Sequence, residues 1–441
     1  MFSRQALTRL ILPLVAEQFL AVTIGLSDTI MVANVGEAAV SGISLVDSIN
    51  ILLIQIFSAL ATGGAVVASQ YIGMNSRENA CVAAKQLLYS ITVLASAIMA
   101  VSLIFRSSIL YAIFGNIDAD VMKNADIYFE LTAFSYPFLA IYNAGAALYR
   151  SMGNSRISML VSLIDNIVHI GGDAVLIYGL GWGAAGAGMA TLAARILAAA
   201  AMFLLICRKE NLIYIDHPFR PEFRFDMVRR ILHIGVPNGL ENGMFQIGKL
   251  IVQRTVTTFG TAAIAANAVC NSVSAITNIP GTAVGLALIT VVGQCIGAGD
   301  YKQAVYYTKR LMRVAYLAMG VLNVALALTA VPLVGVFRLD AAASESAVQI
   351  LYVFALCNAT IWAPAFTLPN ALRAAGDVRF TMLTSVLSMW IFRIGFCYVL
   401  ADWLQMGLMG TWCAMFVDWA VRTAVFEFRF RRGKWKQKRV I

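Results

Sequence analysis

Residues 70–80 read QYIGMNSRENA, and residues 294–304 read QCIGAGDYKQA. Glutamine, isoleucine, glycine and alanine recur at matching places, offset by 224 positions. The same offset, without a gap, pairs GEAAVSG (36–42) with GTAAIAA (260–266), Pro13 with Pro237, and Glu17 with Glu241. An offset of 223 pairs RSMGNSRISMLVS (150–162) with RAAGDVRFTMLTS (373–385), and 224 returns for GAAG (183–186) against GLMG (407–410). Shared hydrophobicity alone does not keep matches in register over such distances. The chain is an internal duplication.

Of its 441 residues, 60% are hydrophobic and 13% charged, with a mean hydropathy of +0.77. Soluble domains carry about a quarter charged residues, so the composition points to a membrane protein. A bilayer span needs roughly 20 apolar residues. Twelve stretches supply it, near 7–33, 44–72, 84–110, 126–149, 157–178, 184–207, 229–258, 264–296, 304–330, 346–372, 380–402 and 408–430. Lipid leaves no backbone group unpaired, which excludes open sheets. The expected fold is all-α: a polytopic membrane protein with twelve transmembrane helices in two parallel, pseudo-symmetric six-helix bundles. A central cavity is expected where the repeats meet. The expected layout is an N-terminal lobe over 1–210, a linker over 211–227 containing Pro218 and Pro221, a C-terminal lobe over 228–430 and a basic tail over 431–441.

The net charge of +10 raises the question of nucleic acid, but the placement of the cations answers it. Arg4, Arg9, Arg77, Lys85, Arg150, Arg156, the linker, Lys302, Lys309, Arg310, Arg313, Arg373, Arg379 and the tail all fall on one side of the expected spans. The opposite loops hold little beyond Lys123 and Arg338. That asymmetry predicts a multi-pass protein of the cell (inner) membrane with both termini and the linker in the cytosol. The basic tail reads as a topology and lipid-headgroup signal, with membrane lipid rather than nucleic acid as its partner. The first span lacks the short apolar core and cleavage site of a secretory signal. Seven cysteines are scattered singly with no CxxC spacing, as small core residues are. A monomer without a cofactor is expected.

Five stretches are similar to the multidrug and toxic compound extrusion (MATE) family: SDTIMVANVGEAAVSG (27–42), QYIGMNSRENA (70–80), GWGAAGAGMAT (181–191), ALRAAGD (371–377) and DWAVRTAVFEFRFRRGKW (418–435). The resemblance runs from about residue 7 to 435 and includes the two-times-six layout. It implies cation-coupled antiport of organic compounds out of the cell by alternating access. A lipid or lipid-linked oligosaccharide flippase of the wider superfamily is the alternative, but it calls for a cavity lined by arginines. No HExxH, GxSxG, P-loop or strand-linked GxGxxG pattern supports an enzyme or an ATP-driven pump.

An ionised carboxylate at bilayer depth is costly and persists only if paired, protonated or metal-bound. On the first expected span, Glu17 and Asp28 stand eleven residues apart, about three helical turns. On the fifth, Asp165, His169 and Asp173 recur at i, i+4 and i+8, forming one stripe. The resemblance matches Asp28 and Asp173 to the family's N-terminal acidic pair, with the hydroxyl of Thr191 beside them. Those three can hold Na⁺, or the carboxyls can carry protons. His169, where sodium-binding relatives often have Asn, favours protons because imidazole titrates near neutral pH. The other reading of the acidic pair is a hydrogen-bonded clamp between helices. Glu17 and Glu241 each follow a helix-kinking proline by one turn. They are either packing acids kept in both copies or negative groups facing a cavity for cationic or amphipathic substrates. Met244, Phe245, Tyr136 and Tyr142 would line that cavity with soft and flat surfaces. Asp418 and Arg422, at i and i+4, are expected to pair structurally, with Arg195 as a further partner. Lys249 and Arg393 are expected to balance nearby acids.

Overall fold

The computed structural model describes residues 2–33, 35–218, 220, 222–438 and 440–441. Pro221 of the expected linker and Arg439 of the basic tail lie outside the described residues. Every regular element among the described residues is helical. Among the described residues, nine stretches are long and apolar enough to cross a membrane by length and composition. The three further expected spans, 126–149, 229–258 and 408–430, are also helical, but they are interrupted or more polar.

The chain forms two compact units, Phe2–Gly239 and Leu240–Ile441. The first contains α1 (Arg4–Ala33), α2 (Glu37–Gly73), α3 (Arg77–Ile104), α4 (Arg106–Phe114), α5 (Ala119–Phe134), α6 (Tyr136–Ser151), α7 (Ser155–Asp173) and α8 (Gly183–Ile206). Within it α7 packs on α1 and α8, and α2 packs on α3, α5 and α6. Small residues permit these approaches: a Cβ on Gly188 would lie 2.8 Å from the Leu131 side chain. The expected span 126–149 is divided at Ser135, because Pro137 follows at the start of α6, where its missing N–H costs nothing.

The boundary between units falls beyond the expected linker, inside α9 (Phe225–Thr257). The first turns of α9 are anchored in the first unit: Gly235 is so close to α2 that a Cβ would lie 2.9 Å from Leu60, and Arg230 hydrogen-bonds Tyr71. The linker itself is clamped to α3. Arg77 donates to the carbonyls of Lys209, Asn211 and Leu212, and Gln86 bonds the backbone at both Glu222 and Arg224.

The second unit continues with α10 (Thr261–Thr277), α11 (Ile279–Gly297), α12 (Tyr301–Val336), α13 (Ala341–Cys357), α14 (Leu368–Ala374), α15 (Val378–Ser388) and α16 (Gly407–Arg432). The expected span 264–296 is divided at Asn278, again with a proline, Pro280, opening the next helix. The π-helical segment Asn358–Thr367 joins α13 to α14, and two more, Met389–Gly395 and Tyr398–Trp403, follow α15. The first unit has one, Ala174–Gly179, immediately after α7.

These wide turns account for the recovery of the offset between the halves from 222 to 224. Asp118 and Asp340 both cap their helices through their side chains, at an offset of 222. Bonding i to i+5 accommodates one residue more than an α-turn. After Asn358–Thr367 the offset is 223, and after Met389–Gly395 it is 224, aligning Tyr398–Trp403 with Ala174–Gly179. Each π-segment peculiar to the second half therefore corresponds to one inserted residue.

Candidate ion-coupling site

In the first unit, α1 and α7 bring Asp28, His169 and Asp173 together. One potential ligand atom from each lies within 4.8 Å of the other two. His169 Nε2 is 3.9 Å from Asp28 Oδ1 and 3.8 Å from Asp173 Oδ2. Thr191, on α8, completes the group with its hydroxyl 3.0 Å from His169 Nε2. The four residues that the sequence placed on three separate spans thus meet in one place.

The Thr191 hydroxyl also lies 2.9 Å from the Ala187 carbonyl, and its one hydrogen serves either that carbonyl or His169 Nε2, the tautomer of His169 following the choice. Asp28 Oδ1 and Asp173 Oδ1 are buried and have no hydrogen-bond partner among the described residues. Two carboxyl groups this close repel unless a positive charge, proton or metal cation, comes between them. The side chain of Asp28 is 33% exposed and that of Asp173 is 1% exposed, so one acid is reachable and the other sealed. Asp173 ends the α-helical part of its span just where the π-segment begins, and such turns loosen the regular bonding ladder.

Asp47, on α2, was missed in the sequence. It accepts from Tyr128 Oη at 3.1 Å and from Asn50 Nδ2 at 3.3 Å, while Tyr136 Oη donates to Asn50 at 2.9 Å. It is near enough to Asp28 to act on it electrostatically. The signal was present: Asp47 is a carboxylate near the start of the apolar stretch 44–72, singled out by the same rule that picks Asp28. Arg195 is the cation of this region and donates to Ser135 at 2.6 Å. It is near enough to Asp28, Asp47 and Asp165 to act on each electrostatically, so the acids outnumber it.

The remaining expected residues are placed as follows. Glu17 is in an ion pair with Arg150 at 2.8 Å and accepts from Ser158 at 2.7 Å. Glu241 is in an ion pair with Arg373 at 2.6 Å. Both negative charges are thus matched inside their own units, as the packing reading of the two acids has it. Tyr136 is fully buried in the Asn50 network, so it corrects the expectation of a cavity-lining ring. Tyr142, on α6, is half-buried. In the second unit Met244 and Phe245 are half-buried on α9. Asp418 and Arg422 lie 2.8 Å apart, both buried, with Ser388 also donating to Asp418. Neither Lys249 nor Arg393 has an ion pair among the described residues; Asp418 acts on Arg393 electrostatically, while its Oδ1 pairs with Arg422.

A family model described as MatE matches residues 13–175 and 237–399. The chain belongs to the MATE family. Both matched segments begin at the prolines, Pro13 and Pro237, that the internal repeat aligns. This MATE chain is 24% identical to the probable multidrug resistance protein NorM of Thermotoga maritima, over 99% of this chain and 94% of that protein. It is 26% identical to the uncharacterized transporter YisQ of Bacillus subtilis, covering 97% and 94% of the two. A solved structure described as the outward-facing conformation of a multidrug resistance MATE family transporter matches with a TM-score of 0.92. Identity there is 18%, with 98% and 96% of the two chains covered, so this likeness concerns the fold. The MATE chain is a polytopic, all-helical membrane transporter and not an enzyme, and its relatives include multidrug resistance proteins.

Proposed function

We propose that this MATE chain is a cation-driven antiporter of the cell membrane that exports amphipathic organic compounds by alternating access, with protons as the coupling ion. The observation carrying this reading is the meeting of Asp28 and Asp173, each with an unpartnered carboxyl oxygen, in a region where acids exceed cations. Binding of a positive ion satisfies both carboxyls, and its release leaves them in mutual repulsion. Asp28 is the entry group because it is the more exposed of the two, and Asp173 is the sealed partner. A hard cation such as Na⁺ takes several oxygen ligands. Here the Thr191 hydroxyl is shared between His169 and the Ala187 carbonyl, which leaves the carboxylates as the main donors and favours the proton. In this reading both termini and the linker lie on the cytosolic side, which the distribution of Lys and Arg supports.

The test uses the purified protein in proteoliposomes with a fluorescent amphipathic substrate. A pH gradient in sodium-free buffer is expected to drive transport, and Asp28→Asn to reduce it to the level of empty vesicles. Transport driven by a sodium gradient alone would replace the proton with Na⁺. Unchanged transport by Asp28→Asn would remove the coupling role altogether.

A further inference from the structure

The second unit offers the same location with opposite charge. At the offset of 224, Asp173 corresponds to Cys397, Asp28 to Val252 and Gly25 to Lys249. Arg393 stands at the level of His169 and Ile170, within the inserted π-segment Met389–Gly395. The acidic group of the first unit thus has a basic counterpart in the second.

Three cations surround one ring there. Arg393 is 5.4 Å, Arg422 5.6 Å and Lys249 5.8 Å from the centroid of Phe245. Arg422 is committed to Asp418 and to the Ser385 carbonyl. Arg393 is not committed. Its residue is 9% exposed, its Nε has no hydrogen-bond partner, and no ion pair to it exists among the described residues. A guanidinium inside a membrane span needs a counter-charge; Asp418 acts on Arg393 electrostatically, but its Oδ1 is held by Arg422, so one carboxylate serves two guanidiniums. Lys249 is exposed from the unit and likewise without an ion pair. Cation–π contact with Phe245 offsets part of this cost, but the ring cannot accept the N–H donors as a carboxylate does. The aromatic surface continues from Phe245 to Phe366 at 6.2 Å and from Phe366 to Trp362, stacked at 5.1 Å.

We propose that Arg393, Lys249 and the Phe245 ring form a binding site for the carboxylate of an amphipathic aromatic anion. The guanidinium presents a planar fork that matches a carboxylate, Lys249 supplies a second positive charge, and Phe245 and Phe366 take the apolar body. The inference deepens the exporter reading by naming a substrate class. It is read by binding without any gradient, so it can fail while cation-driven export stands, and the reverse.

The experiment is equilibrium dialysis of radiolabelled 1-naphthoate, and separately of its neutral isostere 1-naphthamide, against the full chain in phosphatidylcholine nanodiscs. A charge-assisted pair predicts naphthoate to bind about tenfold more tightly than naphthamide. Arg393→Gln and Lys249→Gln are each expected to remove that preference, whereas Arg393→Lys keeps part of it. Lys249 is exposed, so its variant serves should the buried arginine prove necessary for folding. Equal binding of the two probes by the unsubstituted protein, or an unchanged preference in both glutamine variants, would overturn the proposal. Loss of naphthoate binding when phosphatidylglycerol replaces phosphatidylcholine would also overturn it, by assigning the site to a lipid headgroup.

Discussion

Glu17 and Glu241 are each held by an arginine more than 130 residues downstream. Arg150 and Arg373 are themselves repeat mates, so the same ion pair has been kept in both halves. Breaking a buried pair from one side leaves the other charge uncompensated, at a cost of about 3–5 kcal/mol. Glu17→Gln and Glu241→Gln are therefore expected to lower the melting temperature in detergent by several degrees. Substrate affinity per folded molecule should stay close to that of the unsubstituted protein. A variant that melts normally but binds substrate poorly would return that glutamate to the binding surface. Sequence reading found both glutamates and their symmetry, because an acid in an apolar run is conspicuous. It did not find their partners, because nothing local says which distant cation arrives beside them. Asp47 likewise stands out in its apolar stretch, but only the fold brings the distant Tyr128 to it.

At the scale of elements, the helices were legible and their irregularities were not. Apolar runs and prolines mark where spans lie and where they divide, whereas a π-turn has no side-chain signature. Its trace was the single-residue drift in the repeat offset, interpretable only once the wide turns were visible. GAAG and GLMG show what the repeat preserves there. Gly183 and Gly407 both adopt positive φ, +54° and +52°, a conformation that L side chains resist. Three residues on, Gly186 and Gly410 pass the π-segment of their own unit. A Cβ on Gly186 would lie 3.1 Å from the Leu176 backbone, and one on Gly410 would lie 2.7 Å from the Ala401 backbone. Backbone yields less readily than a side chain, so the tighter contact costs more; overpacking of this kind runs to about 1–3 kcal/mol. Gly410→Ala should accordingly reduce the melting temperature more than Gly186→Ala, as measured by thermal unfolding of the two purified variants. The reverse order would mean that the second unit's π-turns adjust more freely than their packing indicates.

For the molecule as a whole, duplication gave two equivalent frameworks whose polar contents have since diverged. The first unit has Asp28, Asp173 and Thr191 where the second has Val252, Cys397 and Met415. Cys397 is 1% exposed and packs with Ala401 and Ala414 against the partly buried Val252. A site with no carboxylate at these positions has nothing to repel when empty, so it cannot be driven by loading and unloading a cation. Coupling should then reside wholly in the first unit. Asp173→Asn is expected to abolish gradient-driven transport in proteoliposomes while leaving binding of 1-naphthoate unchanged. Cys397→Ala, a small change in an apolar pocket, is expected to leave gradient-driven transport near that of the unsubstituted protein. Residual coupled transport in Asp173→Asn that vanished on adding Cys397→Ala would place a second driving site in the C-terminal half. The division of labour between an acidic lobe and a basic one would then be untenable.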